Sequence, residues 1–313
     1  MMNGGVLPPA IFVMGPTASG KTALAVQLAQ QLKGEIISVD SALVYKGMDI
    51  GTAKPTLEER QDIPHYLIDT LDPSETFSTG SFRKEALDLM EDITMRGKVP
   101  ILAGGTMLYF NALFKGLASL PVSDLVLRKK INEEFVAKGK TAMHERLKKI
   151  DPESAQRIHP NDPQRVQRAL EVYELSGKPM SQFFHEAQQK KIPYKQIKLI
   201  VAPENRSELH ERIAQRFKMM IDKGLIEEVR SLYQRGDLSE KNSAIRAVGY
   251  RQVWSYLNGE YDKEEMIEKG IIATRQLAKR QFTWLRKENN SLKYVSYDTD
   301  LLKKVMENIK SHL

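Results

Sequence analysis

The sequence predicts an α/β protein: a parallel sheet covered by helices, carrying a helical insertion and ending in a helical C-terminal part. Three observations carry that prediction. A glycine-rich turn, Gly15-Pro16-Thr17-Ala18-Ser19-Gly20-Lys21-Thr22, stands between the apolar run Ala10-Ile11-Phe12-Val13-Met14 and a segment, 22–32, whose Leu24, Leu28 and Leu32 share one helix face. Strand and helix signals then alternate through the first third of the chain, as they do in β-α-β units. From 117 to 195 this gives way to long polar stretches at helical spacing without a convincing strand.

Element by element, the run before the turn reads as the first strand and 22–32 as its helix. Glu35-Ile36-Ile37-Ser38-Val39 is a short buried strand ending at Asp40, and His65-Tyr66-Leu67-Ile68 is a further candidate strand. A helix is expected from about Ser81 to Arg96. Val99-Pro100-Ile101-Leu102-Ala103 makes another strand, followed by Gly104-Gly105-Thr106 and a helix through Leu113. Strand character returns at Lys198-Leu199-Ile200-Val201; from Ser207 the chain reads as mostly helix, with a possible strand at Tyr294 to Tyr297. The expected organisation is a core of 1–116 and 196–313 interrupted by a helical subdomain, 117–195. Ligands of such sheets bind at the carboxyl ends of the strands, so Asp40, Thr106 and Lys21 are expected on one rim.

The turn matches G-x-x-x-x-G-K-[ST], which makes the fold P-loop NTPase-like and ties the N-terminal chemistry to a polyphosphate. Gly15 and Gly20 let the backbone curl so that amide hydrogens point inward, Lys21 adds positive charge, and the Thr22 hydroxyl suits a magnesium ion riding on the phosphates. The loop does not name the reaction. A kinase moves the phosphoryl group, whereas a prenyl transferase expels the diphosphate and moves the carbon attached to it; both need the cradle. A carboxylate at Asp40 can take a proton from an incoming nucleophile. It can equally hold magnesium through water or cap the turn at Ser41. No Asp-Asp pair occurs anywhere in the chain, so the aspartate-rich magnesium motif of chain-elongating prenyl synthases is missing.

Bulk composition narrows the classes further. The 313 residues allow one large domain or two smaller ones, and 41% apolar with 28% charged residues is a soluble globular balance. No apolar run is long enough to span a membrane, and Met1 to Pro9 lacks the basic region of a signal peptide. Zero cysteines exclude disulfides, thiolate catalysis and cysteine-ligated zinc, so a cytoplasmic chain is expected. The six histidines show no metal-ligand spacing. A net charge of +7 favours a polyanionic partner, although a merely solvated basic face gives the same number.

Beside GPTASGKT stands Asp40-Ser41-Ala42-Leu43-Val44-Tyr45-Lys46-Gly47-Met48-Asp49-Ile50-Gly51-Thr52-Ala53-Lys54-Pro55. With GGTMLY at 104–109, NDPQRVQRALEVYELSGKP at 161–179, and AVGYRQVW and RQLAKRQFTWLR within 244–286, this closely resembles the bacterial tRNA dimethylallyltransferase family across nearly the whole chain. Met107 departs from the glycine of many members, a change expected to affect packing behind Thr106.

The resemblance implies transfer of a dimethylallyl group from its diphosphate to the exocyclic amine of the adenine 3′ of the anticodon, with no ATP used. It implies that Lys21 and the loop amides hold dimethylallyl diphosphate, that Thr22 ligates Mg2+, and that Asp40 removes an amine proton. Thr106 positions the adenine and Arg216 clasps the diphosphate. The tRNA anticodon stem-loop is expected on Asp40, Ser41, Ala42 and Leu43 and on Gln164, Arg165, Val166, Gln167 and Arg168, whose amide and guanidinium groups suit unstacked bases. Arg275, Lys279, Arg286 and Lys287 recur near helical spacing and would track phosphates, a reading that spacing alone balances equally against a solvated helix. A monomer is expected, with no membrane partner.

On spacing alone, Arg206, Arg212 and Arg216 read as the wet face of a helix, and Gln164 to Arg168 as a polar helix face. Trp254 and Trp284 read as core anchors. A small-molecule or nucleoside kinase, a nucleic-acid-binding ATPase and an adenine-nucleotide isopentenyltransferase remain alternatives. The kinase does not explain the long basic insertion, and no second ATP motif supports the ATPase.

Overall fold

The structure, a computed structural model, describes residues 7–188 and 192–310. The expectations for Met1–Val6, for 189–191 within the insertion and for 311–313, His312 among them, lie outside the described residues. Two compact units emerge: one made of the chain up to Phe110 and from Pro193 on, the other of Asn111–Ile192.

The first unit is built on six parallel strands, β1 (Pro9–Met14), β2 (Gly34–Val39), β3 (His65–Tyr66), β4 (Val99–Gly104), β5 (Lys195–Ala202) and β6 (Ser291–Val295), in the order β3-β2-β4-β1-β5-β6. Its helices before the insertion are α1 (Lys21–Leu32), α2 (Leu57–Arg60) and α3 (Thr79–Met95), and α4 (Met107–Lys115) follows β4. The central strands are apolar on both faces because helices cover both. Ile11 and Val13 face Leu24, Leu28 and Ala29 of α1, and Phe12 meets Phe110 of α4 edge-on at 6.4 Å. Each such fully buried Leu, Ile or Phe contributes about 2 kcal/mol of burial free energy.

Strand order decides where the chemistry goes. β4 lies between β1 and β2, and Met14, Gly104 and Val39 sit level with one another at the ends of these three strands. The residues that follow therefore leave the sheet side by side: the glycine-rich turn, Gly105-Thr106, and Asp40. At one strand spacing of about 4.8 Å, the exits of β1 and β2 stand roughly 10 Å apart with β4 between them.

Two strand expectations need correction. Only His65 and Tyr66 pair in β3, because Leu67 turns out of the sheet at φ +60° and the chain joins the loop after β2, with Asp69 and Thr70 donating to Leu43 and Val44 carbonyls. β6 ends at Val295, not Tyr297, which takes φ +63° and turns toward the glycine-rich loop. Lys195, expected in the insertion, opens β5 and pairs with Pro9.

The second unit holds α5 (Leu125–Ile150), broken at Gly139, α6 (Pro152–Arg157), α7 (Pro163–Ser176) and α8 (Met180–Gln188), with no strand among its described residues. Its own core joins Ile131, Met143, Leu147, Val166, Leu170 and Met180. Buried Asp151 ties it together by accepting from the Ser154 and Ser181 amides, both at 3.0 Å. The remaining helices belong to the first unit: α9 (Arg206–Asp222), α10 (Leu225–Tyr233), α11 (Tyr250–Leu257), α12 (Lys263–Leu285) and α13 (Leu301–Ile309). Trp254 is buried in this part, as expected, but Trp284 is 37% exposed and lies outside the buried core.

Candidate active site

The glycine-rich loop closes tightly over the end of β1. Gly15 has no room for a side chain, since a Cβ would lie 2.3 Å from the Val201 carbonyl and 2.6 Å from Ser19 Oγ. Ala18 (φ +60°) and Gly20 (φ +78°) take the left-handed backbone that curls the loop, and Gly20 caps α1 with no side chain in the way. No acidic residue occupies the first turn of α1, so its positive end stays open to an anion. Pro16 accepts from Lys21 Nζ at 3.1 Å, Ser19 is buried with an unpartnered hydroxyl, Thr17 is half-buried, and Thr22 is exposed at the helix start.

The neighbouring exits are stitched together. Thr106 donates its amide to Val39 O at 3.1 Å, and its Oγ1 accepts from the Ser41 amide at 3.1 Å. Asp40 Oδ1 accepts from the Ala42 amide at 2.9 Å, so the turn-capping reading of this carboxylate holds for one oxygen. Thr106 and Asp40 are thus held through the same short turn. Behind it, Tyr109 stacks on Phe82 at 4.2 Å, and burial raises its hydroxyl pKa, with Tyr45 and Asp40 adding to the shift.

Electrostatics bring in a residue far along the chain. Removal from water lowers the Lys21 pKa to about 8, against the opposing pull of Asp40 and with a further push from Arg216. Burial likewise lowers that of Arg216 on α9, with Tyr297 and Asp40 opposing. Among the described residues neither cation forms an ion pair. Two desolvated cations facing one carboxylate leave a positive rim that an anion of several charges would complete. No group of three or more His, Asp or Glu side chains suited to a metal exists among the described residues. A magnesium ion here would have its oxygens from the anion, with the Thr22 hydroxyl, and the exposed hydroxyl at the head of α1 fits that arrangement.

Several residues that build the site have no site role in the sequence pattern. Tyr297 donates to Ala18 O at 2.7 Å and carries the Arg212 guanidinium on its ring at 3.7 Å, so Arg212 braces the loop from the turn of α9 before Arg216. Gln281 of α12 bonds Thr17 and Gly105. Glu228 of α10 accepts from the amides of Asp49, Ile50 and Gly51 at 2.9, 2.7 and 3.1 Å and from Tyr250 Oη at 2.5 Å. That one carboxylate anchors the long loop between Asp40 and Pro55. Tyr250 and Gln281 lie within the stretches AVGYRQVW and RQLAKRQFTWLR, whereas Glu228 carries no signal among 40 acidic residues.

The pentad on α7 divides. Gln164 and Arg165 are exposed, but Val166 belongs to the core of its own unit and offers no side-chain surface. Arg168 is engaged internally, donating to the Pro121 carbonyl at 2.7 Å and to fully buried Glu171 at 2.6 Å, and Gln167 donates to the Arg128 carbonyl at 3.0 Å and to Asn132 at 2.7 Å. A helix cannot point five consecutive side chains at one partner, so the inward positions went to the core. On α12 and just past its end, Lys279, Arg286 and Lys287 are exposed, whereas Arg275 is half-buried and reaches the His210 carbonyl. Ser41 is exposed, and Ala42 and Leu43 are half-buried beside Asp40.

A family model for IPP transferase matches residues 43–288. The tRNA dimethylallyltransferase of Methylococcus capsulatus is 57% identical over 290 residues, 93% of each chain, and that of Nitrosococcus oceani 55% identical over 287, covering 92% of this chain and 91% of its own. Among solved structures, a eukaryotic dimethylallyltransferase acting on tRNA superposes with a TM-score of 0.81 at 30% identity, over 97% of this chain and 80% of that one. The tRNA isopentenylpyrophosphate transferase of Bacillus halodurans gives 0.72 at 39% identity, over 97% and 95%.

Proposed function

The chain belongs to the IPP transferase family, and from that premise we propose that it transfers a dimethylallyl group from dimethylallyl diphosphate to the exocyclic amine of the adenine 3′ of the anticodon in tRNA, releasing diphosphate. The observation that carries this reading is the shared sheet edge, where the glycine-rich loop leaves β1, Thr106 follows β4 and Asp40 follows β2, with the cations Lys21 and, from α9, Arg216 electrostatically coupled to Asp40. Such a rim separates the two jobs of the reaction: the cations and loop amides hold the departing diphosphate, and the carboxylate receives a proton.

An adenine amine is a poor nucleophile because its lone pair is delocalised into the ring. As its nitrogen bonds to the allylic carbon, the carbon–oxygen bond breaks and the electron pair leaves with the diphosphate, where Lys21, Arg216 and the start of α1 spread the charge. The proton displaced from nitrogen goes to Asp40, through the oxygen not used by Ala42. Thr106, fixed to Ser41, positions the base beside that carboxylate. Mg2+ bound with Thr22 would neutralise diphosphate charge. A stacked adenine cannot reach such a site, so the base must be everted, and Gln164 and Arg165 on the insertion are the side chains of their group able to grip the anticodon arm. We propose that the enzyme works as a monomer in the cytoplasm, where its acceptor is made.

The test mixes purified protein, magnesium, dimethylallyl diphosphate and unmodified tRNA, and looks by mass spectrometry for a five-carbon addition on one adenosine. Consumption of ATP without that addition would refute the reading, and addition to AMP in preference to tRNA would move the enzyme to the free-nucleotide class.

A further inference from the structure

We propose that Gln281 is a positioning residue that fixes the diphosphate loop to the acceptor rim, so that one side-chain amide sets the distance between leaving group and base. The proposal deepens the reading above and rests on it for the identity of the two substrates. Gln281 lies on α12, is 7% exposed, and uses both ends of its amide. Its Oε1 accepts from the Thr17 amide of the loop at 2.9 Å; its Nε2 donates to the Gly105 carbonyl at 2.9 Å.

Those partners are the two halves of the site. Thr17 lies four residues before Lys21, within the loop that curls around the anion. Gly105 immediately precedes Thr106, which is bonded to Val39 and Ser41 and through them to the turn bearing Asp40. β1 and β4 pair up to Met14 and Gly104, but beyond those residues no ladder hydrogen bond joins the two exits. Gln281 supplies the missing link by reaching between them from outside the sheet. It lies close against the loop backbone: a Cβ on Gly105 would lie 2.4 Å from Gln281 Nε2 and displace that amide from its bonds. Accepting from Thr17 also removes that amide from the set that could face phosphate, which narrows where the anion can sit.

Only a primary amide does this work. A carboxylate at 281 would keep the bond from Thr17 but set an oxygen against the Gly105 carbonyl, and a hydrocarbon would keep the volume and lose both bonds. Errors of about 1 Å in the placement of reacting groups can cost about 100-fold in rate. Both ends of the Gln281 amide are spent on the protein, so its substitution should lower the turnover of a protein that still folds and still holds tRNA.

The test compares wild type with Gln281→Leu and Gln281→Glu, all full length. Expected are a fall in kcat of about 10- to 100-fold in both variants, unchanged tRNA affinity, and roughly tenfold weaker binding of magnesium diphosphate by calorimetry. A melting temperature close to wild type for the near-isosteric Gln281→Glu would separate positioning from folding. The proposal is overturned by kcat within twofold of wild type in either variant, by unaltered diphosphate affinity, or by loss of the folded state in both, which would make Gln281 a packing residue. Diphosphate binding needs no acceptor. If wild-type protein failed to prenylate tRNA, the functional reading would fall, while the calorimetric comparison would still decide the role of Gln281.

Discussion

Lys21 supplies a pH prediction whose size follows from its surroundings. With the pKa at about 8, the ammonium is almost fully charged at pH 7 and about one-tenth charged at pH 9. A bound diphosphate adds negative charge beside Nζ and raises that pKa, so binding above pH 8 must take up a proton. The sign is therefore fixed on the alkaline side: affinity for dimethylallyl diphosphate changes little between about pH 7 and 7.5 and falls about tenfold per pH unit above 8. Between pH 7 and 9 the loss is about tenfold, or about 1.4 kcal/mol. Calorimetry without tRNA, run at pH 9 in buffers of different ionisation enthalpy, should show uptake of nearly one proton per site. In Lys21→Arg the guanidinium does not titrate over this range, and both the slope and the uptake should vanish. Equal affinity at pH 7 and 9 in the wild type, or the same slope in the arginine variant, would refute the assignment of a desolvated Lys21 to the diphosphate.

Three further outcomes are expected. Asp40→Asn retains an oxygen for the Ala42 amide but no base, so turnover should fall by about 100- to 10,000-fold with tRNA binding within threefold of wild type by filter binding; turnover near wild type would remove Asp40 from the proton transfer. Glu228→Ala strands three loop amides and the Tyr250 hydroxyl, and should lower urea-unfolding stability by about 2–3 kcal/mol; a loss under 0.5 kcal/mol would mean that water replaces the carboxylate at little cost. On α7, Arg165→Ala should weaken tRNA binding and leave stability alone, while Arg168→Ala, which removes one partner of buried Glu171, should cost about 2–3 kcal/mol of stability. The reverse pattern in binding and melting experiments would show that the exposed and internal arginines have been given each other's roles.

The fold class and the near side of the site were legible in the chain. Eight contiguous residues specify the phosphate loop because its shape depends on local backbone freedom at Gly15 and Gly20. The apolar runs specify strands because burial on both faces leaves no polar alternation. Asp40 and Thr106 could be placed on one rim without coordinates, since both follow strand signals and parallel strands end on one side of the sheet. The family resemblance added Arg216, which spacing alone reads as a solvated helix position.

What the tertiary structure alone decided is how these parts are held. The bonds from Thr17 to Gln281 and from Asp49, Ile50 and Gly51 to Glu228 span 264 and up to 179 residues. Periodicity has nothing to say about such pairs, because it reports which face of an element is buried and not which element lies against it. The same ignorance explains Val166 and Arg168, where helical phase was known but the inward direction was not, and Tyr297, whose left-handed backbone serves a loop nearly 280 positions away. Local sequence fixes backbone shape within a few residues; the order of the strands, settled only when the whole core packs, chooses the partners.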